Sequence, residues 1–111
     1  MEAGRVSLGG DWELDLERGT LEGHGPPVIL PRVEFLLLRR LAADLGRPVA
    51  TAALLDYVWG DGLGRRELYV YVHRLRARLE EDPRRPRILV GVRGYGYLLD
   101  AETKGGGGAP P

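Results

Sequence analysis

Between residues 64 and 93 the chain concentrates nine arginines against four acidic side chains, a local net of +5. Residues 1–63 carry six basic and ten acidic side chains, and 94–111 set Lys104 against Asp100 and Glu102. The formal net charge of zero therefore hides a basic segment on an acidic body. Arginine is always charged, and its planar fork of donors matches phosphate oxygens and the O6/N7 edge of guanine. A local excess of such groups is what electrostatic steering to a polyanion requires. The competing reading is a solvated helix and loop, and charge alone leaves both open.

Periodicity narrows the choice. Over residues 65–81, Val72, Leu75 and Leu79 all fall within about 40° of Leu68 on a helical wheel, a core stripe. The opposite face holds Arg66, Val70, His73, Arg74 and Ala77. An ordinary solvent face is richer in Glu and Lys. Arg mixed with small apolar side chains suits a DNA major groove, where Arg meets guanine and a small apolar group meets the thymine methyl. Tyr71, Arg76 and Arg78 lie on the flanks, within reach of phosphates on either groove wall. The rival arrangement pairs Arg74, Arg76 and Arg78 with Glu80, Glu81 and Asp82. The chain has no Asn and no Gln, so the usual bidentate readers of adenine are missing. Arg93, just before Gly94-Tyr95-Gly96, can enter a narrow minor groove from a hairpin tip; the bland reading is an ordinary exposed hairpin arginine. Tyr95 and Tyr97 read first as packing residues, with a Tyr97 hydroxyl able to reach a phosphate.

Other chemistries find little support. There is no Cys, so no disulfide and no thiolate metal site. Ser7 is the one serine, and His24 and His73 are the only histidines, without the spacing of a metal or nucleophile site. His24 reads as a turn residue. Asp11, Asp15 and Glu17 can be drawn as paired carboxylates but read as an exposed acidic sheet face. No cofactor, metal or catalytic activity is expected. No apolar run is long enough to span a bilayer, and the N-terminus has no basic-then-apolar leader. The expected location is the cytoplasm.

The elements that must position these residues fill residues 1–100, with a Gly/Pro-rich tail at 101–111. Trp12, Leu14 and Leu16 alternate with acids, Thr20-Leu21-Glu22 can return as a partner after Arg18-Gly19, and Val28-Ile29-Leu30 is a further strand. This predicts a small antiparallel sheet over 5–30. Val33, Leu37, Leu41 and Leu45 give a helix over 32–45, with Pro31 at its start and Gly46 as its C-terminal cap. A second helix runs from Thr51, read as its N-cap, to Trp59. A glycine-rich loop spans 60–64. The third helix ends before Pro83. Residues 88–92 and 97–99 make a terminal hairpin. The expected class is α+β.

Five segments then resemble the OmpR/PhoB family of winged helix-turn-helix effector domains. They are LPRVEF at 30–35, like L-T-x-x-E-F; Gly46-Arg47-Pro48-Val49; Leu54-Leu55 with Val58-Trp59-Gly60; LYVYVHRLRARL at 68–79, like V-D-V-H-I-x-x-L-R-x-K-L; and Val92-Arg93-Gly94-Tyr95-Gly96-Tyr97, like V-R-G-x-G-Y. The resemblance covers about residues 6–99. It implies a four-stranded N-terminal sheet, a three-helix core, a recognition helix at 65–81 and a C-terminal β-hairpin wing. It implies sequence-specific binding of double-stranded DNA in transcription regulation, as the output of a two-component phosphorelay. Arg74 and Val70 would face bases, Arg66, His73 and Arg76 phosphates or groove edges, and Arg93 the minor groove. It also implies a tandem dimer on DNA and an RNA polymerase contact through loop 60–64. A protein-binding module on the same fold, docking to a receiver domain or polymerase, is the alternative. The chain departs from the family pattern at Glu67 and Gly91, where Thr is common, and at Tyr69 and Tyr71, where Asp and His are frequent.

Overall fold

Four short strands open the chain because apolar residues recur once per strand at matching register. A computed structural model describes residues 4–60 and 64–101. β1 (Arg5–Ser7), β2 (Glu13–Asp15), β3 (Thr20–Glu22) and β4 (Val28–Ile29) pair antiparallel in chain order. Val6 faces Leu14, Leu14 faces Leu21 and Leu21 faces Val28, so one apolar row crosses all four strands. Leu14 and Leu21 are fully buried. On the polar side Arg5 bridges Glu13, Asp15 and Glu22.

Asp15 does not lie on an open acidic face as the alternation predicts. It is buried, and its Oδ1 accepts the N–H groups of Glu17 and Arg18 at 2.9 and 3.0 Å. Strand β2 ends there, and Leu16 already belongs to the turn that closes at Gly19, whose φ is 67°. The Arg18 N–H contact, the largest influence, holds the carboxyl below its ordinary value of 3.8. A pKa lowered by folding adds stability that is fully present above the unfolded value and is lost as pH falls through the folded one. Asp15→Asn is therefore expected to be less stable than the parent at neutral pH, with the gap closing in acid. Thermal unfolding from about pH 7 to about pH 3 checks this through carboxylate linkage; a gap independent of pH would sink it.

Helix α1 (Arg32–Ala42) begins after Pro31, whose carbonyl accepts the Phe35 N–H at 2.9 Å. Its buried face is Leu37, Leu38 and Leu41, together with Glu34. The helix stops three residues earlier than the periodicity over 32–45 suggests. Ala43 is the C-cap, a turn follows, and Gly46 (φ 76°) donates its N–H to the Leu99 carbonyl. Gly46 thus ties the turn to the wing rather than capping the helix.

A strand that periodicity does not reveal comes next. β5 (Val49–Ala50) runs directly into α2 (Thr51–Trp59). Thr51 is the first helical residue and not a side-chain cap; its hydroxyl donates to the Tyr95 carbonyl at 3.3 Å. Helix α3 (Arg65–Leu79) follows, then β6 (Leu89–Val92) and β7 (Gly96–Leu99). The second sheet has the order β5-β7-β6. Val49 faces Tyr97 and Ala50 faces Gly96, so the predicted hairpin is the outer part of a three-stranded sheet anchored at the start of α2. Leucines from both sheets and all three helices form one core.

Helix α3 ends two residues before the predicted 81. Glu80 leaves the helix in extended geometry, φ −92° and ψ 141°. Its carboxylate turns inward and accepts the N–H groups of Arg87, Ile88 and Leu89 at 2.7 to 3.1 Å. Asp61, Gly62 and Leu63 of loop 60–64, and all but Ala101 of tail 101–111, lie outside the described residues.

Candidate nucleic-acid interface

The buried face of α3 is Leu68, Val72, Leu75 and Leu79, as its period demands. That burial fixes the rotation of the helix. It turns Arg66, Val70, His73, Arg74 and Ala77 outward, and all five are exposed. Val70 keeps 40% of its surface in solvent, a large fraction for an apolar side chain on a helix. Among the described residues, Arg66, His73 and Arg74 have no ion-pair partner.

Helical side chains lean toward the N-terminus and meet residues three and four positions back. Arg74 accordingly lies over the Tyr71 ring, 5.0 Å from its centroid, and His73 meets Tyr69 edge-on at 4.6 Å. Tyr71 is half-buried and its other neighbour is Trp59 of α2, 6.3 Å away. The sequence expectation of a freely reaching flank tyrosine is therefore modified: the ring sits between Trp59 and Arg74.

The other two flank residues are also tied down. Arg78 pairs with Glu34 of α1, which is 2% exposed. Arg76 donates from Nε to the Leu89 carbonyl at 3.0 Å and lies over the half-buried Tyr97 ring at 5.7 Å. Among the described residues, Arg74, Arg76 and Arg78 thus make none of the ion pairs with Glu80, Glu81 and Asp82 that the rival arrangement required. Arg76 instead braces α3 against the wing. The long separations, 44 residues for Arg78–Glu34 and 13 for Arg76–Leu89, lie beyond what helical spacing can signal.

Arg93 stands exposed at the turn between β6 and β7. The Tyr95 N–H closes that turn on the Val92 carbonyl at 2.9 Å, with Gly94 at φ 74°. Between the wing, the start of α2 and the start of α3 runs a cleft of about 750 Å³, bordered by Thr51, Arg65, Arg93, Tyr95 and Tyr97. Arg65 at the start of α3 and Arg93 at the wing tip therefore border the same cleft. Among the described residues no cluster of three His, Asp or Glu is arranged to hold a metal ion.

The sequence pattern described as "Transcriptional regulatory protein, C terminal" matches residues 25–99. The chain belongs to this OmpR/PhoB-type family. It is 43% identical over 102 residues to the sensory transduction protein RegX3 of Mycolicibacterium smegmatis, a match covering 90% of this chain and 42% of RegX3. The chain thus spans less than half the length of that relative. Its fold superposes on the response regulator DrrB of Thermotoga maritima, an OmpR/PhoB homologue, with a TM-score of 0.78 and 32% identity, covering 87% of this chain and 44% of DrrB. It also superposes on the RstA DNA-binding domain of Klebsiella pneumoniae, solved in complex with the RstA box, with a TM-score of 0.76 and 29% identity, covering 88% and 98% of the two chains.

The OmpR/PhoB motifs of the chain now have physical reasons. The glutamate of LPRVEF is the buried partner of Arg78. The second glycine of V-R-G-x-G-Y is Gly96, where a Cβ would stand 1.9 Å from the Val49 carbonyl oxygen. Two departures from the OmpR/PhoB pattern look different in three dimensions. Glu67 falls in the first turn of α3, where the helix dipole favours an acid. Gly91 has room for a side chain, its nearest neighbours being Arg76 and Tyr97 at 3.8 and 3.9 Å from a notional Cβ.

Proposed function

We propose that this domain binds double-stranded DNA sequence-specifically in transcription regulation, with α3 in the major groove and Arg93 of the wing in the minor groove. The observation that carries the reading is the outer face of α3. Arg66, Val70, His73, Arg74 and Ala77 are exposed together, and its arginines are not ion-paired among the described residues. A docking helix would present a larger apolar patch instead. The Klebsiella RstA domain, of the same fold, is solved bound to its box, which supports the assignment.

Within this reading Arg74 and Val70 face bases, Arg66 and His73 meet phosphates or groove edges, and Arg93 enters the minor groove. Arg76, Arg78, Tyr71 and Tyr97 act mainly by holding helix and wing in place, and their outer atoms remain near the backbone of the DNA. The domain acts as the output module of a two-component response regulator in the cytoplasm, binds as a tandem dimer, and uses residues 60–64 toward RNA polymerase. It is not an enzyme. Among the described residues no helix is long and apolar enough to cross a membrane.

Selection of bound duplexes from a random library at about 100–150 mM salt tests the proposal, because non-specific binding is largely suppressed there. Two enriched direct-repeat half-sites about 10–11 bp apart are expected. On the selected site Arg74→Ala is expected to cost about 1–3 kcal/mol and to relax preference at one base pair. Arg93→Ala should lower affinity and flatten the salt dependence by about one unit where it meets phosphate. Lack of enrichment in folded protein would overturn the DNA reading in favour of a protein partner.

A further inference from the structure

We infer that Tyr71 is a specificity-determining positioning residue, holding the Arg74 guanidinium in its base-reading direction before DNA arrives. This rests on the reading of Arg74 as a base contact. An arginine side chain on a solvent face samples many rotamers, and fixing it on binding costs conformational entropy. Here the guanidinium already lies 5.0 Å from the centre of the Tyr71 ring. The ring does not swing freely, because Tyr71 is half-buried and packs against Trp59 at 6.3 Å. Trp59 is itself confined: a Cβ on Gly64 would come within 2.9 Å of its indole. The stack Gly64, Trp59, Tyr71, Arg74 thus carries the packing of α2 out to the tip of a cation on the open face of α3.

A cation over an aromatic face is attracted to the ring quadrupole and keeps its N–H edge free. A guanidinium held over the ring in this way makes no hydrogen bond to it through its planar fork, and bidentate contact with guanine uses that fork. Tyr71 stands where the OmpR/PhoB pattern often has His, and a His ring is a poorer platform when protonated. The phenol ring suits a constant, pH-independent platform. His73 and Arg66 have no such platform among the described residues, His73 meeting Tyr69 only edge-on. Arg74 is therefore the side chain whose direction is set in advance.

The experiment uses the duplex recovered by selection and its variants at the base pair whose preference Arg74→Ala relaxes. Affinities are measured for the parent, Tyr71→Phe, Tyr71→Leu, Arg74→Ala and the Tyr71→Leu/Arg74→Ala double variant, each at several salt concentrations. Tyr71→Phe keeps the platform and should retain full discrimination. Tyr71→Leu removes it and should reduce discrimination at that base pair about two- to fivefold, with non-specific affinity and salt slope unchanged. In the double variant the loss should not exceed that of Arg74→Ala alone, since both act through one contact. If Arg74→Ala leaves base preference intact, the reading of Arg74 has failed. If Arg74→Ala relaxes preference but Tyr71→Leu does not, the positioning role alone is overturned. A uniform loss in Tyr71→Phe across all the duplex variants, with the salt slope unchanged, would also overturn it, making Tyr71 a phosphate contact through its neutral hydroxyl. Should Tyr71→Leu fail to fold, the free parent protein decides. Upfield ring-current shifts of the Arg74 side-chain protons support the stack, and random-coil shifts overturn it.

Discussion

Glu80→Ala is expected to destabilise the domain by about 4 kcal/mol, on the basis that hydrogen bonds to charged groups are each worth about 1.5–3 kcal/mol and that orphaned buried donors cost as much again. The carboxylate is 8% exposed and accepts three successive N–H groups, those of Arg87, Ile88 and Leu89. β6 begins only at Leu89, so in the native fold the Arg87 and Ile88 donors lie outside the strand ladder and depend on this carboxylate. Ile88 and Leu89 are themselves core residues, so water reaches the vacated donors poorly. Urea unfolding of Glu80→Ala and Glu81→Ala makes the test internal. The exposed Glu81 should change stability by no more than about 0.5 kcal/mol. Equal effects for the two variants would mean that the buried carboxylate does not hold the entry to the wing.

Gly96→Ala is the second large effect, about 3 kcal/mol by the usual cost of overpacking a closed site. Backbone freedom is not the issue. A Cβ there would meet the Val49 carbonyl oxygen at 1.9 Å and the Thr51 nitrogen at 2.9 Å. Both are backbone atoms, so no side chain can rotate away. Relief requires β5 to part from β7 across the Ala50–Gly96 pair. Because β5 feeds α2 without a loop, the strain passes to the first turn of that helix and to the Thr51 contact with Tyr95. Gly91→Ala is the control, since its Cβ meets nothing closer than 3.8 Å. Thermal unfolding should show a large drop for Gly96→Ala and little change for Gly91→Ala. Similar midpoints for both would refute the steric account.

The contrast between these two glycines shows how far the sequence could be read. Leu68, Val72, Leu75 and Leu79 declare the buried face of α3 because a helix repeats its exposure every 3.6 residues, and rotation of the helix then places Arg66, Val70, His73 and Arg74 outward. The alternation of Trp12, Leu14 and Leu16 announces β2 through its period of two, although the strand stops at Asp15. Three features leave no such trace. Strand β5 has two residues, too few for any period. Glu34 and Glu80 look like surface acids until Arg78 and the 87–89 backbone arrive from far along the chain. The end of α3 follows from the second of these, since Glu80 leaves the helix to serve a tertiary role before Pro83 can act. For the candidate interface, charge and face were readable, while the sorting of arginines into free and braced ones depended on contacts between elements.

One contact joins the ends of this architecture. The Trp12 indole N–H donates to the Leu79 carbonyl at 3.1 Å, and the Trp12 ring carries His24, whose Nε2 lies 2.6 Å from the Gly10 carbonyl oxygen. The last turn of α3 is therefore closed by a residue from the β1–β2 connection. Residues 25–99, the stretch matched by the family pattern, would leave this closure behind, along with Leu14 and Leu21, which are fully buried. The smallest piece of chain that can carry an intact α3 thus extends back through the N-terminal sheet, and the border of the recognisable motif is not the border of the cooperative folding unit.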